Sequence, residues 1–230
     1  LLSQQTRPSP FLSADFLIPW CASFVTSETP QRVGLWRRQG QLSGLIALYG
    51  KDGGFELTGG QDVADRLDAL VEPGQESNFW QGFFAQAQSW QINLRFPNLA
   101  EDSPLLAWLT QEPKQHHWEV TQTDSSPRVS LPDSFEEFLS GLSKKQRHEV
   151  RRKLRRTHDH LPLVRYRSIM GGKDWDCWLP RFLNLHRLSH PEKNLFMTPA
   201  MEDFFTVMTR RFATRGQLRV GFLLLEDEPI

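Results

Sequence analysis

FEEFLSGLSKKQRHEVRRKLRRTHDH, residues 135–160, carries two helix starts, one behind the other. Ser134 and Glu137 have the spacing of a capping box, ahead of an apolar stripe of Phe135, Phe138, Leu139 and Leu142. Ser143 and Gln146 repeat the device, and the helix they open is almost wholly basic. Between Lys144 and Arg156 stand eight Lys or Arg against one acid, Glu149. Only Val150 and Leu154 offer an apolar contact before Leu161, so this helix has a narrow seam and a broad cationic girth. Such a surface needs water, an anion or an acidic partner around it.

The rest of the chain is that of a globular protein. Its 230 residues can bury a sizeable core, and 39% hydrophobic with 23% charged residues is ordinary for that class. Cys21 and Cys177 make no disulfide framework and read as free thiols in a reducing compartment. No apolar run approaches the roughly eighteen residues a membrane span needs, and no signal-peptide pattern opens the chain. The start, LLSQQ, lacks a methionine, and the chain is expected to be trimmed at both ends. The zero net charge hides a split. Residues 1–143 hold 9 Lys/Arg against 17 Asp/Glu, and residues 144–230 hold 18 against 10. That asymmetry predicts either an anionic ligand on the second half or two lobes that attract each other.

Taken in order, strands and helices alternate. A helix is expected over 14–24, then a hairpin of strands 32–36 and 42–49 around Gln39-Gly40, then a short strand at 55–58 closed by Gly59-Gly60. Asp62, Asp65 and Asp68 follow at three-residue spacing, sharing a face if helical and splaying if extended. A helix at 76–88 bears Phe79, Phe83 and Phe84. A strand at 90–96, a helix at 103–111 and a strand at 118–123 come next. Asp124-Ser125-Ser126-Pro127 is the best linker. After the two opening helices come a strand at 163–166, helices at 174–190 and from Thr198 to Gly216, and a strand at 218–225. A turn at 226–229 ends the chain with no later strand for that last one to pair with. Mixed α/β architecture, with sheets covered by helices, follows.

Several phrases resemble a known family. A short apolar helix, then L-S-K-K-x-R, then arginines over two or three turns is similar to the CelD-like (cellulose-biosynthesis type) acetyltransferases, a FemAB-related branch of the GNAT superfamily. Ser9-Pro10-Phe11-Leu12 resembles the phrase that opens these proteins. Leu45–Leu48 looks like their first long strand, without its usual proline. Within Gly60–Gly74, Asp65, Asp68, Pro73 and Gly74 match the family's D-Y-x-D … P-G segment, with Arg66 and Leu67 where an aromatic is expected. Ser103-Pro104-Leu105, Val129–Pro132, Leu185-His186-Arg187 and Gly216–Arg219 match in outline.

The resemblance implies tandem GNAT-like lobes, residues 1–126 and 127–230, the second incomplete in this chain and including the basic helix 143–160. It implies acyl-CoA as co-substrate, bound where two parallel strands splay apart and a helix N-terminus meets the pyrophosphate. The usual Q/R-x-x-G-x-G/A loop is not found; Gly59-Gly60-Gln61 lacks its spacing. The competent cofactor site is expected past Ile230. The implied activity is acyl transfer, acetyl first, to an amine or hydroxyl of a sugar, lipid or envelope precursor in the bacterial cytoplasm, as in polysaccharide biosynthesis. Two alternatives stay open. One is FemAB-like aminoacyl transfer from tRNA; the other is a non-catalytic module binding RNA or an acidic partner through the basic helix.

Acyl transfer needs a base for the nucleophile and stabilisation of developing charge. His186, Asp65 and Asp68 are the candidate catalytic groups. His186 stands on an apolar helix face where a histidine is often simply packed. Lys144, Arg147, Arg151 and Arg155 share one helical face and are the candidate anion contacts. His116-His117 and His158 with His160 lack further ligands at metal spacing, so no metal is expected. Cys177 has only His186 as a partner in sequence, which specifies no triad.

Overall fold

The structure, a computed structural model, describes residues 1–5, 8–91, 93–111, 118–160 and 163–230, with the backbone alone at His160 and Lys173. Helix α1 (Ala14–Phe24) precedes a three-strand meander, β1 (Gln31–Arg38), β2 (Gln41–Lys51) and β3 (Gly54–Leu57). The meander is antiparallel, with Leu35 opposite Leu45 and Tyr49 opposite Glu56. Both connections are two-residue turns with positive φ at each position: Gln39 and Gly40 at 51° and 79°, Asp52 and Gly53 at 50° and 75°. These primed turns match the twist of their strands, and the second residue is glycine in each.

Beyond β3 the chain runs irregularly to β4 (Leu70–Val71), which pairs with β2 at Gly44 and Leu45. Helix α2 (Glu76–Gln88) then carries it across to β5 (Asn93–Arg95), which lies parallel to β3. A Cβ on Gly54 would sit 2.6 Å from the Asn93 carbonyl oxygen, so only glycine lets these two strands meet in register. Helix α3 (Pro104–Gln111) follows.

Residues 118–132 form neither helix nor strand, so the strand expected at 118–123 is corrected. Its alternation is real, but among the described residues the segment pairs with no strand; Trp118 is tied in, its ring 4.7 Å from Phe84. Past that stretch come α4 (Phe135–Gly141), α5 (Lys144–His160), β6 (Val164–Ile169), α6 (Lys173–Ser189), α7 (Pro191–Phe196), α8 (Pro199–Thr214), β7 (Val220–Leu225) and β8 (Glu228–Pro229). The second sheet is antiparallel in the order β6-β7-β8. The last long strand therefore does not lack partners: β6 lies on one side, and the chain turns back as β8 on the other. Mixed α/β architecture is what the alternation predicted.

One apolar cluster joins the two sheets, running from Phe16 and Trp20 through Ile46, Trp80 and Leu105 to Phe204 and Phe222. Helix α1 is its hinge pin. Trp20 meets Tyr49 of β2, with ring centroids 4.8 Å apart, while Phe16 and Phe24 close on Phe204 of α8 at 5.3 and 5.7 Å. Asp15, 6% exposed, is held from α8 by Arg211 at 3.1 Å and by Arg215. These ion pairs bridge the acidic half to the basic half. The expected bridging surface, α5, spends its ion pairs locally: Arg151 on Glu136 of α4, Arg152 and Lys153 on Glu149 of α5 itself.

Inside the first sheet Glu56, 3% exposed, gathers Lys51 at 3.3 Å and Arg95 at 2.8 Å. Tyr49 donates its hydroxyl to Glu56 Oε2 at 3.0 Å, and burial together with that carboxylate drives the phenol pKa far upward. A buried carboxylate persists only when paired in this way.

Phe204 is fully buried between the halves. Phe204→Ala is expected to cost about 3–5 kcal/mol in urea unfolding. A loss under about 1 kcal/mol would show that α1 and α8 do not share a packed core.

Candidate functional site

A parallel pair of strands directs its following loops to one edge, and ligands of open α/β sheets bind outside those carboxyl ends. The β3/β5 pair sends two loops there, residues 58–69 and 96–103. The first is long and has no helix, yet it is fixed. The Asn98 side-chain amide donates to the carbonyls of Gln61 at 2.9 Å and Ala64 at 2.8 Å, and Leu67 N–H donates to the Asn98 carbonyl at 3.1 Å. Ala64 and Leu67 are buried beneath it. The three aspartates are therefore neither on a helix nor on a paired strand. Asp62 and Asp65 point to solvent, and Asp68 turns inward.

Asp68 is the most constrained carboxyl of the three. Ala69 N–H donates to its Oδ1 at 2.8 Å, and the Ser103 hydroxyl hydrogen-bonds it from the start of α3. Ser103, 1% exposed, in turn accepts from Leu105 N–H at 3.2 Å. Arg66 lies beside the carboxyl and pairs with Asp102 at 3.1 Å. Burial outweighs these favourable contacts and pushes the Asp68 carboxyl from 3.8 up to about 6. A cleft of about 240 Å³ shares Asp102 and Ser103 with this group and is lined by Glu101, Asp102, Ser103, Leu106, Ala107 and Thr110; Asp68 is not in its lining. Arg66, Asp102 and Ser103 were missed as site residues in the sequence. The Ser103-Pro104 helix start was the one visible signal, and it does not say what the serine also holds.

The same edge is hostile to a pyrophosphate. Helix α2 opens with Glu76 in its first turn, and Glu72 precedes it by one turn; both oppose an anion at that N-terminus. A wider cleft of about 550 Å³ lies at the opposite end of β3, around Lys51, Asp52 and Phe55.

The other predicted residues lie elsewhere. His186 on α6 is half-buried, its ring 6.2 Å from Phe182 and 6.0 Å from Phe196 of α7. Its Nδ1 is buried with no hydrogen-bond partner among the described residues, and burial, with Lys193 and Arg187 nearby, holds its pKa below the usual imidazole range. No bond links it to Asp68 or to Cys177, which is an exposed free thiol.

On α5, Arg147 donates to the carbonyls of Ser140 at 3.2 Å and Leu142 at 3.0 Å, closing the C-terminal turn of α4, and Arg151 is paired with Glu136. Lys144 and Arg155 are exposed, and α5 lines neither cleft. The Ser143–Gln146 box forms as read, with Gln146 N–H donating to Ser143 Oγ at 3.3 Å and Ser143 N–H to Gln146 Oε1 at 3.2 Å. The first box forms its helix-side half, Glu137 N–H to Ser134 Oγ at 3.1 Å. His116-His117 lies outside the described residues, as does the His160 side chain. Among the described residues no group of His, Cys, Asp or Glu could hold a metal ion, and no helix is long and apolar enough to cross a membrane.

Residues 144–230, from the first residue of α5 onward, match a family model described as an acetyltransferase (GNAT) domain. No curated protein matches the chain. Among solved structures it is similar to one described as the crystal structure of FemX, at 14% identity and a TM-score of 0.49, over 95% of this chain and 54% of that one. The chain thus spans about half the length of that protein.

The raised Asp68 pKa makes stability depend on pH. Between about 4 and about 6 the folded protein holds this proton and the unfolded chain has released it, so stability falls as pH rises through that window. The loss totals up to about 3 kcal/mol and is flat above the window. Urea unfolding of wild type and Asp68→Asn across it should differ by that slope; parallel curves would place the carboxyl in water.

Proposed function

We propose that the protein is an acyltransferase of the GNAT type. It moves an acyl group, acetyl first, from acyl-CoA to an amine or hydroxyl of a sugar, lipid or cell-envelope precursor in the cytoplasm. The match of residues 144–230 to an acetyltransferase domain carries the reading. The division into lobes 1–126 and 127–230, the CelD-like branch and a role in a bacterial envelope belong to the same proposal.

Asp68 is assigned the base. A carboxyl with a pKa of about 6 is ionised at neutral pH yet basic enough to accept a proton from an acceptor nucleophile. Ser103 and the Ala69 amide fix its direction, and Arg66 balances the charge. Asp65, exposed three residues earlier on the loop, is assigned to the acceptor side. Acyl-CoA supplies an activated thioester. The acceptor's nitrogen or oxygen forms the new bond to the acyl carbon, the carbon–sulfur bond breaks, and the acceptor's proton passes to Asp68 while the thiolate leaves. Burial and its aromatic neighbours favour a packing role for His186, which is not assigned the base.

Thiol release from acetyl-CoA should show a rate that rises through about pH 6 and falls about 10²–10⁴-fold in Asp68→Asn. His186→Phe should keep the rate within about threefold, its ring filling the same apolar site. An unimpaired Asp68→Asn would remove the base assignment. Absence of turnover with any acyl-CoA, alongside transfer from aminoacyl-tRNA, would replace the donor.

A further inference from the structure

Helix α5 is 17 residues long and none of its described side chains is buried. At about 1.5 Å per residue it presents a rod of roughly 25 Å. Helical spacing sorts its cations into two adjoining stripes. Lys144, Arg151 and Arg155 form one; Lys145, Arg152 and Arg156 form the next. The seam of Val150 and Leu154 lies on the far side. Arg151 and Arg152 are partly neutralised by Glu136 and Glu149. Lys144, Lys145, Arg155 and Arg156 have no ion pair or hydrogen bond among the described residues, so their charge is uncompensated.

Exposed apolar side chains stand in and just before α4, the helix that Arg151 pairs with. Phe135, 54% exposed, stacks on Phe138 with ring centroids 5.9 Å apart, and it adjoins Glu136, the residue that Arg151 holds. Leu131, just before α4, is 79% exposed.

We propose that α5 docks the protein on an anionic bilayer surface. Charge complementarity selects a polyanion, and the exposed Phe135 and Leu131 select one with a hydrocarbon layer behind its phosphates. Single-stranded nucleic acid would call for aromatic rings set among the cations, and α5 has none. Duplex RNA would leave Phe135 and Leu131 in water. The inference stands on α5 and α4 alone and is independent of the acyl-transfer reading.

The test is flotation with vesicles of phosphatidylcholine mixed with phosphatidylglycerol, against phosphatidylcholine alone, at low and high salt. The wild type should float with the mixed vesicles only, less so at high salt. The variant Lys144→Glu, Lys145→Glu, Arg155→Glu, Arg156→Glu removes charges that hold nothing in the fold. It should keep its circular dichroism and bind at least about a thousandfold more weakly. Phe135→Ser with Leu131→Ser should weaken the binding that survives high salt. The proposal is overturned if the wild type ignores anionic vesicles, if the fourfold variant floats as well as the wild type, or if polyuridylate at equal phosphate strips the protein from them.

Discussion

The rest of the structure depends on a carboxylate near the start of the chain and two guanidiniums near its end. Asp15 is nearly out of water, and a buried charge left unpaired is among the most destabilising things a fold can contain. Arg211 and Arg215 answer it from α8, across a sequence gap of 196 residues to the nearer one. Beside it Phe16 and Phe24 pack on Phe204, and Trp20 carries the packing on to β2. Helix α1 is thus a shared wall. It covers the first sheet and meets the helices of the second, so neither half reaches its full packing before the other has formed. Contacts this distant in sequence are slow to make, because the chain entropy is lost before the contact is gained.

The same economy shapes the edge where β3 and β5 end. The crossover through α2 needs Gly54 to let β5 approach, and it delivers two loops to one place. Asn98 locks the first loop with three hydrogen bonds, and Ser103 joins it to α3. Asp68 is held from both sides and turned inward, whereas Asp62 and Asp65 remain solvated. Glu72 and Glu76 at the start of α2 give this edge a negative field that opposes an anion at the helix N-terminus.

Much of the fold was legible where local chemistry decides it. Gln39-Gly40 announces its hairpin, Ser134 and Ser143 announce their helices, and the Phe spacing in 76–88 gives α2 its inward face. The reading failed where partners decide. The alternation at 118–123 has the pattern of a strand, but no neighbouring strand takes it up. Strands β4 and β8 are two residues each and exist only because β2 and β7 offer them an edge. Helix α7, capped by His190, falls between the helices read at 174–190 and from Thr198 and was not read at all. Of the site, the 60–74 segment was found through its resemblance, and Asp68 with it. Its burial could not be read, because Asn98 and Ser103 stand thirty or more positions away. The cations of α5 were legible as charge, but not that Arg147 and Arg151 are committed to α4.

The Glu56 network has an optical consequence. The chain has two tyrosines, and Tyr49 is the one whose hydroxyl is tied to a buried carboxylate under the Trp20 ring. Ionising it would set two negative charges side by side in the interior of a sheet. In the native protein that phenol therefore resists ionisation, and the ultraviolet band of its phenolate grows in at higher pH than that of an unburied tyrosine. An alkaline absorbance titration thus reports, through that delayed band, on the Tyr49–Glu56 contact between β2 and β3.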